Sequence, residues 1–310
     1  MRFVAFRPAR HLPTMAAALL ASLSLGASVL AAERTVQTAF GDVQIEGTPA
    51  RIVTLGENAL DATAALGLKP VGALASRGGT DIPQYLMDKT GKLTLVGTVR
   101  EPNLEAILAQ QPDVILSATG LTKEVFDKLS LIAPTVVPQG GSFAPWEDTL
   151  RTYAQALGKS DEAEKRIAEV NTRIEQLSKR IPADTTVSVL RWNPQGPQMM
   201  SSHLFVGKLL EELGLQPNAL AKSIDKRPHS DILSLENLNK ADADWIFLAT
   251  LNPDGQKALE EARKQPAFTR LEAAQTNQVV SVDGQIWSSS SGYLAAQRIL
   301  DDVEKTLAKQ

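Results

Sequence analysis

Arginine and tryptophan residues stand at or just after several apolar runs that the sequence predicts to be β-strands. A guanidinium keeps its charge and supplies several directed hydrogen-bond donors, so it suits an anionic ligand. An indole ring offers a broad apolar surface. Ligands of open α/β sheets bind at the carboxyl ends of the strands. The residues at these ends are therefore candidates for a small-molecule site: Glu57, Asn58, Ser76, Arg77, Thr119, Gly120, Arg191, Trp192, Thr250, Asn252 and Trp287.

The sequence offers little for catalysis or for direct metal binding. It has no cysteine, which excludes thiol chemistry and thiolate metal sites. His203 and His229, the two histidines after residue 32, are too few and too far apart in sequence for a zinc or manganese site. There is no dinucleotide fingerprint, Walker loop or Gly-x-Ser-x-Gly elbow, and we interpret the four serines at 288–291 as a loop and a helix N-cap. We predict a protein that is not an enzyme and has no metal ligands; a two-domain periplasmic hydrolase, which needs a Ser–His pair, is the alternative.

The first 32 residues have the pattern of an export signal. Three arginines precede an apolar stretch at 15–30, and small residues suit cleavage after Ala31 or Ala32. Without those arginines, 32 basic and 35 acidic residues become 29 and 35, a net charge of −6, which disfavours nucleic acid as a partner. We expect a periplasmic protein that is released by signal cleavage and, with no cysteine to carry a lipid, is not lipid-anchored.

A 22-residue stretch, 160–181, predicts a long amphipathic helix. Its apolar residues, from Ala163 to Ile181, recur at spacings of four and three, and the other positions are polar. Ser160 is a predicted N-cap, and Pro182 lies where the helix should end. At about 1.5 Å per residue the helix would span roughly 33 Å, enough to join two compact bodies.

Short strands alternate with helices on both sides of this stretch, which is typical of βαβ units and a parallel sheet. The two sides also resemble each other: Glu105 and Asp113 recur as Glu236 and Asp244, 131 residues later. We predict an α/β fold of two Rossmann-like lobes with mainly parallel sheets, joined by one long α-helix and enclosing a ligand cleft. The predicted segments are a signal peptide (1–32), an N-terminal lobe (33–159), the bridging helix (160–181) and a C-terminal lobe (182–310).

Several motifs resemble those of the periplasmic substrate-binding proteins of ABC importers for iron–siderophore complexes and vitamin B12, the class with a single bridging helix. They are RIVTL (51–55), VGTVREPNLEAI (96–107) with PDVI (112–115), LIAP (131–134), and VVSVD (279–283) with Trp287. The segments 189–196 and 202–207 are most similar to receptors for ferric hydroxamate or citrate-type siderophores. Haem and vitamin B12 remain alternative ligands for the same fold.

The resemblance implies a role for particular residues. The candidate ligand contacts are Arg191, Trp287, Arg100, Arg77, Trp192 and His203, although Val99 occupies the slot where relatives often have the arginine here numbered 100. Glu105 and Glu236, which from the residues alone are first-turn helix acids, would pair with arginines of an inner-membrane permease dimer. Iron would arrive inside the siderophore, so no cofactor is expected. The protein would be a monomer whose single stiff bridging helix permits only small lobe movements.

Overall fold

The computed structural model describes residues 1–5 and 33–308. Most of the predicted export signal lies outside these residues. The chain divides into two units, Met1–Leu30 and Ala31–Gln310. In the first unit only residues 1–5 are described, and they have no regular secondary structure. Everything below concerns the second unit, where no described helix combines the length and the hydropathy that a membrane span requires.

The N-terminal lobe begins with a hairpin of β1 (Arg34–Thr38) and β2 (Gly41–Ile45), followed by a six-stranded sheet. The strands of the sheet are β3 (Ile52–Leu55), β4 (Gly72–Ala75), β5 (Thr94–Thr98), β6 (Glu101–Pro102), β7 (Val114–Ser117) and β8 (Thr135–Val136), in the order β6-β5-β4-β3-β7-β8. All neighbours are parallel except β5 and β6. The helices of this lobe are α1 (Glu57–Ala65), α2 (Gln84–Thr90), α3 (Leu104–Ala109), α4 (Lys123–Ser130) and α5 (Trp146–Leu157).

The predicted bridging helix is present as α6 (Ser160–Ser178), three residues shorter than expected at its C-terminal end. The predicted apolar face is buried, from Ala163 through Leu177, whereas Ile181 lies beyond the helix and is half-buried. The prediction that Ser160 is the N-cap is wrong. Lys159 occupies that position without a side-chain cap, because Ser160 already has helical backbone geometry.

The C-terminal lobe has a smaller sheet in the order β10-β9-β12-β13, with β11 pairing beside the start of β9. Its strands are β9 (Thr186–Asn193), β10 (Gly196–Met199), β11 (Gln216–Pro217), β12 (Trp245–Thr250) and β13 (Val279–Asp283), parallel except for the β9–β10 hairpin. A 3-10 helix covers Leu235–Ala241. The α-helices are α7 (Phe205–Glu212), α8 (Ala219–Lys222), α9 (Pro253–Ala262), α10 (Pro266–Thr269), α11 (Glu272–Gln275), α12 (Gly284–Ser288) and α13 (Tyr293–Leu307).

Two helices contact elements of both lobes. Helix α6 packs on α5 of the first lobe and on α13 of the second, where Arg173 donates to the carbonyl of Gln297 at 3.1 Å and pairs with Asp301 at 2.6 Å. Helix α13 also returns to the first lobe and packs on α1. One hydrophobic cluster therefore includes residues of both lobes and of the bridging helix, from Val36 to Leu307 in sequence.

Candidate functional site

A cavity of about 260 Å³, called here the interlobe cavity, lies between the lobes at the carboxyl ends of β3, β4, β7 and β9. This is the position that the topology predicts for a ligand. The first lobe contributes Glu57, Asn58, Arg77 and Thr119 to its wall. The second lobe contributes Arg191, Met200, Phe205, His229 and the serines at 288–291.

Arg191 is positioned in the cavity wall by the β9–β10 hairpin. Gln198 stands opposite Arg191 in the register, and its Oε1 accepts hydrogen bonds from Arg191 Nη2 at 2.7 Å and from Asn193 Nδ2 at 2.8 Å. The Nε–H of Arg191 is buried and has no hydrogen-bond partner among the described residues, nor does any described carboxylate pair with this guanidinium. Burial, with a smaller effect from the charge of Arg77, lowers the pKa of Arg191. The group stays cationic because an arginine pKa lies far above neutrality.

The wall formed by the first lobe carries a carboxylate and a second guanidinium. Glu57 begins α1, where the helix dipole favours negative charge, and its Oε1 accepts a hydrogen bond from the backbone N–H of Arg77 at 3.1 Å. The carbonyl of Arg77 accepts a hydrogen bond from Gln285 Nε2 of the second lobe at 2.8 Å. Two guanidiniums thus face the cavity against one carboxylate, which favours an anionic ligand.

The four serines, called here the serine segment (288–291), all line the cavity. Ser288 ends α12 and donates its hydroxyl to the carbonyl of Gly284 at 2.7 Å. Ser289 Oγ is buried and has no partner among the described residues. The prediction that this run supplies the N-cap of α13 is wrong, because Gly292 occupies the N-cap position and no side chain at that position caps the helix.

Helix α13 receives its cap from the other lobe. The carboxylate of Asp61, in α1, is fully buried and accepts hydrogen bonds from the backbone N–H groups of Leu294 at 3.0 Å and Ala295 at 2.9 Å. The Tyr85 hydroxyl lies 3.4 Å from it. Burial raises the pKa of Asp61 to about 7, and the hydrogen bonds oppose this rise. A Cβ at Gly292 would lie 2.5 Å from Asp61 Oδ1, so the joint requires glycine there.

The two predicted tryptophan contacts are both buried. Trp192 is 2% exposed and packs on Phe268 in the core, on the face of β9 opposite Arg191, because neighbouring residues of a strand point to opposite faces. Trp287 borders the cavity but is fully buried: its ring stacks on Phe247 at 4.4 Å, and its Nε1–H donates to Asp302 at 2.8 Å. Both rings therefore pack mainly inside the C-terminal lobe, and of the two only Trp287 borders the cavity.

Arg100 and His203, like Trp192, lie outside the lining of the interlobe cavity. Arg100 is exposed at the turn between β5 and β6. His203 lines a separate recess of about 180 Å³, which is bordered by Trp146 of the first lobe and Glu212 of the second. Of the six predicted contacts, Arg191 and Arg77 have side chains placed to reach a ligand in the cavity.

Glu105 and Glu236 occupy equivalent places in the two lobes. Glu105 is in the first turn of α3, which the Asn103 side chain caps by accepting from Ala106 N–H at 3.0 Å, and Glu236 is in the first turn of the 3-10 helix. Both carboxylates are exposed, and neither forms an ion pair with a described residue.

The arrangement of two α/β lobes has a counterpart among known proteins. The family model described as periplasmic binding protein matches residues 52–286. The chain belongs to this family. The probable siderophore-binding lipoprotein YfiY of Bacillus subtilis is 32% identical over 287 residues, covering 89% of this chain and 88% of the relative. The Fe(3+) dicitrate-binding periplasmic protein FecB of Escherichia coli is 28% identical over 279 residues, covering 89% and 91%.

A solved structure supports both the fold and the family of this periplasmic binding protein. SirA of Staphylococcus aureus complexed with staphyloferrin B superposes with a TM-score of 0.78 at 28% identity, covering 89% of this chain and 99% of SirA. These relatives are substrate-binding proteins of transport systems, and the family is not an enzyme family. The predicted family and fold class are thereby confirmed.

The histidines and acids of this periplasmic binding protein do not gather into a metal centre within residues 1–5 and 33–308, where no group of three or more such side chains could hold a metal ion. His229 lines the cavity, and its Nδ1 lies 2.9 Å from the carbonyl of Ser230. A carbonyl accepts only from a protonated nitrogen, so this contact assigns the proton to Nδ1.

Proposed function

We propose that this protein is the periplasmic substrate-binding protein of an ABC importer and that it captures a ferric siderophore of hydroxamate or citrate type in the interlobe cavity. The observation that carries this proposal is Arg191. It is a half-buried cation, held in place by Gln198, with no carboxylate partner among the described residues and an unused Nε–H.

A buried charge without a partner costs free energy, and an arriving anion recovers part of that cost. A ferric siderophore surrounds iron with hard oxygen donors and leaves some of those oxygens exposed. Arg191 and Arg77 can donate to such oxygens without touching the metal. Iron therefore enters with its carrier, and the protein needs no cofactor and performs no catalysis.

Delivery follows from the two exposed acids. Glu105 and Glu236 stand on separate lobes, so a permease dimer with two matching arginines can bind them together and thereby detect the spacing of the lobes. The receptor works as a monomer in the periplasm. The chain has no cysteine to which a lipid could be attached, in contrast to the lipoprotein YfiY, so the processed receptor should remain in the soluble periplasmic fraction after cell fractionation.

The test is a titration of the purified protein, followed by intrinsic tryptophan fluorescence, with ferric dicitrate, ferrioxamine B, haem, vitamin B12 and zinc. We expect saturable binding of a ferric siderophore, and a loss of affinity of about 10- to 100-fold in Arg191→Ala, because hydrogen bonds to a charged group contribute about 1.5–3 kcal/mol. Arg270→Ala removes an exposed arginine outside the cavity and is the matched control.

Each other result contradicts a different part of the proposal. Binding of haem alone, with His229 as its axial ligand, or of vitamin B12 or zinc alone, would overturn the ligand class. No binding of any of these compounds would overturn the function. Equal affinity in Arg191→Ala and wild type would remove Arg191 from the site.

A further inference from the structure

The serine segment lies just before α13, a position that suggests a capping role, but its hydroxyls do not cap this helix. Serine before a helix usually accepts a hydrogen bond from the first backbone N–H groups. In α13 the N–H groups of Leu294 and Ala295 are already bound by Asp61 from the other lobe. The hydroxyls at 288–291 are therefore not needed to cap the helix, yet all four residues line the cavity.

Two of these hydroxyls, those of Ser289 and Ser290, are buried without a hydrogen-bond partner among the described residues. Ser288 donates to Gly284 within α12, and the Ser290 hydroxyl interacts with that of Tyr85, whereas the buried Ser289 Oγ has no polar interaction with any described residue. Burying an unsatisfied hydroxyl costs on the order of 1–3 kcal/mol. Such a group in a cavity wall is explained if a ligand satisfies it.

The surroundings of Ser289 determine how its hydroxyl would be used. Arg191 and Arg77 make the cavity electropositive, and the Nε–H of Arg191 is a further buried donor without a hydrogen-bond partner among the described residues. Rotation of Ser289 among its staggered χ1 rotamers changes the direction of its hydroxyl without any backbone movement. In a positive field a hydroxyl is best used as a donor to an anionic oxygen.

We propose that Ser289 and the Nε–H of Arg191 form a subsite of hydrogen-bond donors for carboxylate oxygens of the ligand, and that this subsite selects carboxylate-type ferric chelates over hydroxamate ones. This inference rests on the proposed function and narrows its ligand class. Hydroxamate oxygens are largely used in binding iron, whereas a polycarboxylate carrier has additional charged oxygens at its edge.

The experiment compares Ser289→Ala with Ser188→Ala, measuring melting temperature and affinity for ferric dicitrate and ferrioxamine B. Ser188 is a matched control because its hydroxyl is also buried and unpartnered, but it lies in β9 outside the cavity lining. Neither variant should lower the melting temperature, since each removes an unsatisfied buried hydroxyl. Only Ser289→Ala should weaken ferric dicitrate binding, by about tenfold, with less than a twofold change for any ferrioxamine B binding.

The outcomes separate this inference from the proposed function. If wild type binds ferric dicitrate and Ser289→Ala binds it equally well, the subsite is overturned while the receptor function stands. An equal loss for both chelates, or an equal loss in Ser188→Ala, overturns the selectivity. Wild type that binds ferrioxamine B but not ferric dicitrate also overturns the inference, and wild type that binds neither overturns the proposed function with it.

Discussion

The two lobes are alike where their sheets begin and differ where their sheets end. Asp113 Oδ2 accepts hydrogen bonds from the backbone N–H groups of Ala50 and Arg51, just before β3, at 2.8 Å each. Asp244 Oδ2 accepts from the N–H and the hydroxyl of Thr186, at the start of β9, at 2.7 Å each. The same acid, 131 residues later, therefore ties the amino end of the leading strand in both lobes.

The carboxyl ends of these strands have diverged. Strand β3 leads through Gly56 directly into α1, whose first residue, Glu57, lines the cavity. A side chain would not fit at position 56, because a Cβ added there would lie 2.6 Å from the Cβ of Ala118. Strand β9 is twice as long and turns into a hairpin that holds Arg191 against Gln198. The repeated part of each lobe supports the sheet, and the part that differs carries the candidate ligand contacts.

The largest effect should come from Glu105 and Glu236, the exposed acids that occupy equivalent places in the two lobes. Charge reversal at both acids, Glu105→Lys with Glu236→Lys, should reduce siderophore-dependent iron uptake more than tenfold, because like charges would then face the arginines of the proposed permease dimer. Affinity for ferric dicitrate should not change, since neither residue lines the cavity. Each single variant should cause a similar, smaller loss. Glu162→Lys, at an exposed first-turn acid of α6, is the control; uptake equal to wild type in the double variant would refute the docking role.

An effect of intermediate size should come from Asp61, which belongs to one lobe and serves the other. Because its folded-state pKa of about 7 lies above the ordinary value of 3.8, its contribution to stability is fully present below pH 3.8 and is lost as the pH rises through 7. The expected slope is about 1.4 kcal/mol per pH unit within that window. Asp61→Asn should remove this slope, which thermal unfolding of both proteins at pH 5, 6, 7 and 8 would measure. Parallel pH profiles would contradict it.

The smallest effects should come from Asp113 and Asp244, the acids that recur in the two lobes, and they test whether the two have equal roles. Asp113→Ala and Asp244→Ala should each lower the free energy of unfolding by about 1–2 kcal/mol, because each removes an acceptor from two hydrogen bonds at a partly exposed strand end. Denaturant titrations would give both values. A difference of more than about 2 kcal/mol between them would show that the repeat does not reflect equal roles.

Periodic features of the sequence were sufficient to predict the fold class. The spacing from Ala163 to Leu177 predicted the buried face of α6, and the alternation of strands and helices predicted mainly parallel sheets. The position of the interlobe cavity followed from the strand ends, so Arg77 and Arg191 were correctly predicted to lie at this edge of the sheets. Trp192 could have been excluded from the sequence, because it is adjacent to Arg191 in a strand and must face the other way.

Features that depend on distant partners could not be predicted in this way. Trp287 resembled a ligand contact until its ring and its N–H were seen to be occupied by Phe247 and Asp302. Asp61 appears in the sequence as an ordinary helix residue, and its backbone partners lie 233 and 234 residues away. The proposed ligand contact of Ser289 depends in turn on Asp61. Because Asp61 caps α13, the serine hydroxyl is not needed for that purpose.

The long sequence separation between Asp61 and its partners in α13 also constrains the order in which the chain folds. The entropic cost of closing a loop of more than two hundred residues must be met before the contact contributes any stabilisation. Until α13 arrives, Asp61 lacks its two amide donors and the surface of α1 lacks its cover. In a chain that is synthesised, or passed through a membrane, from its N-terminus, the first lobe therefore lacks this contact until the last helix is available.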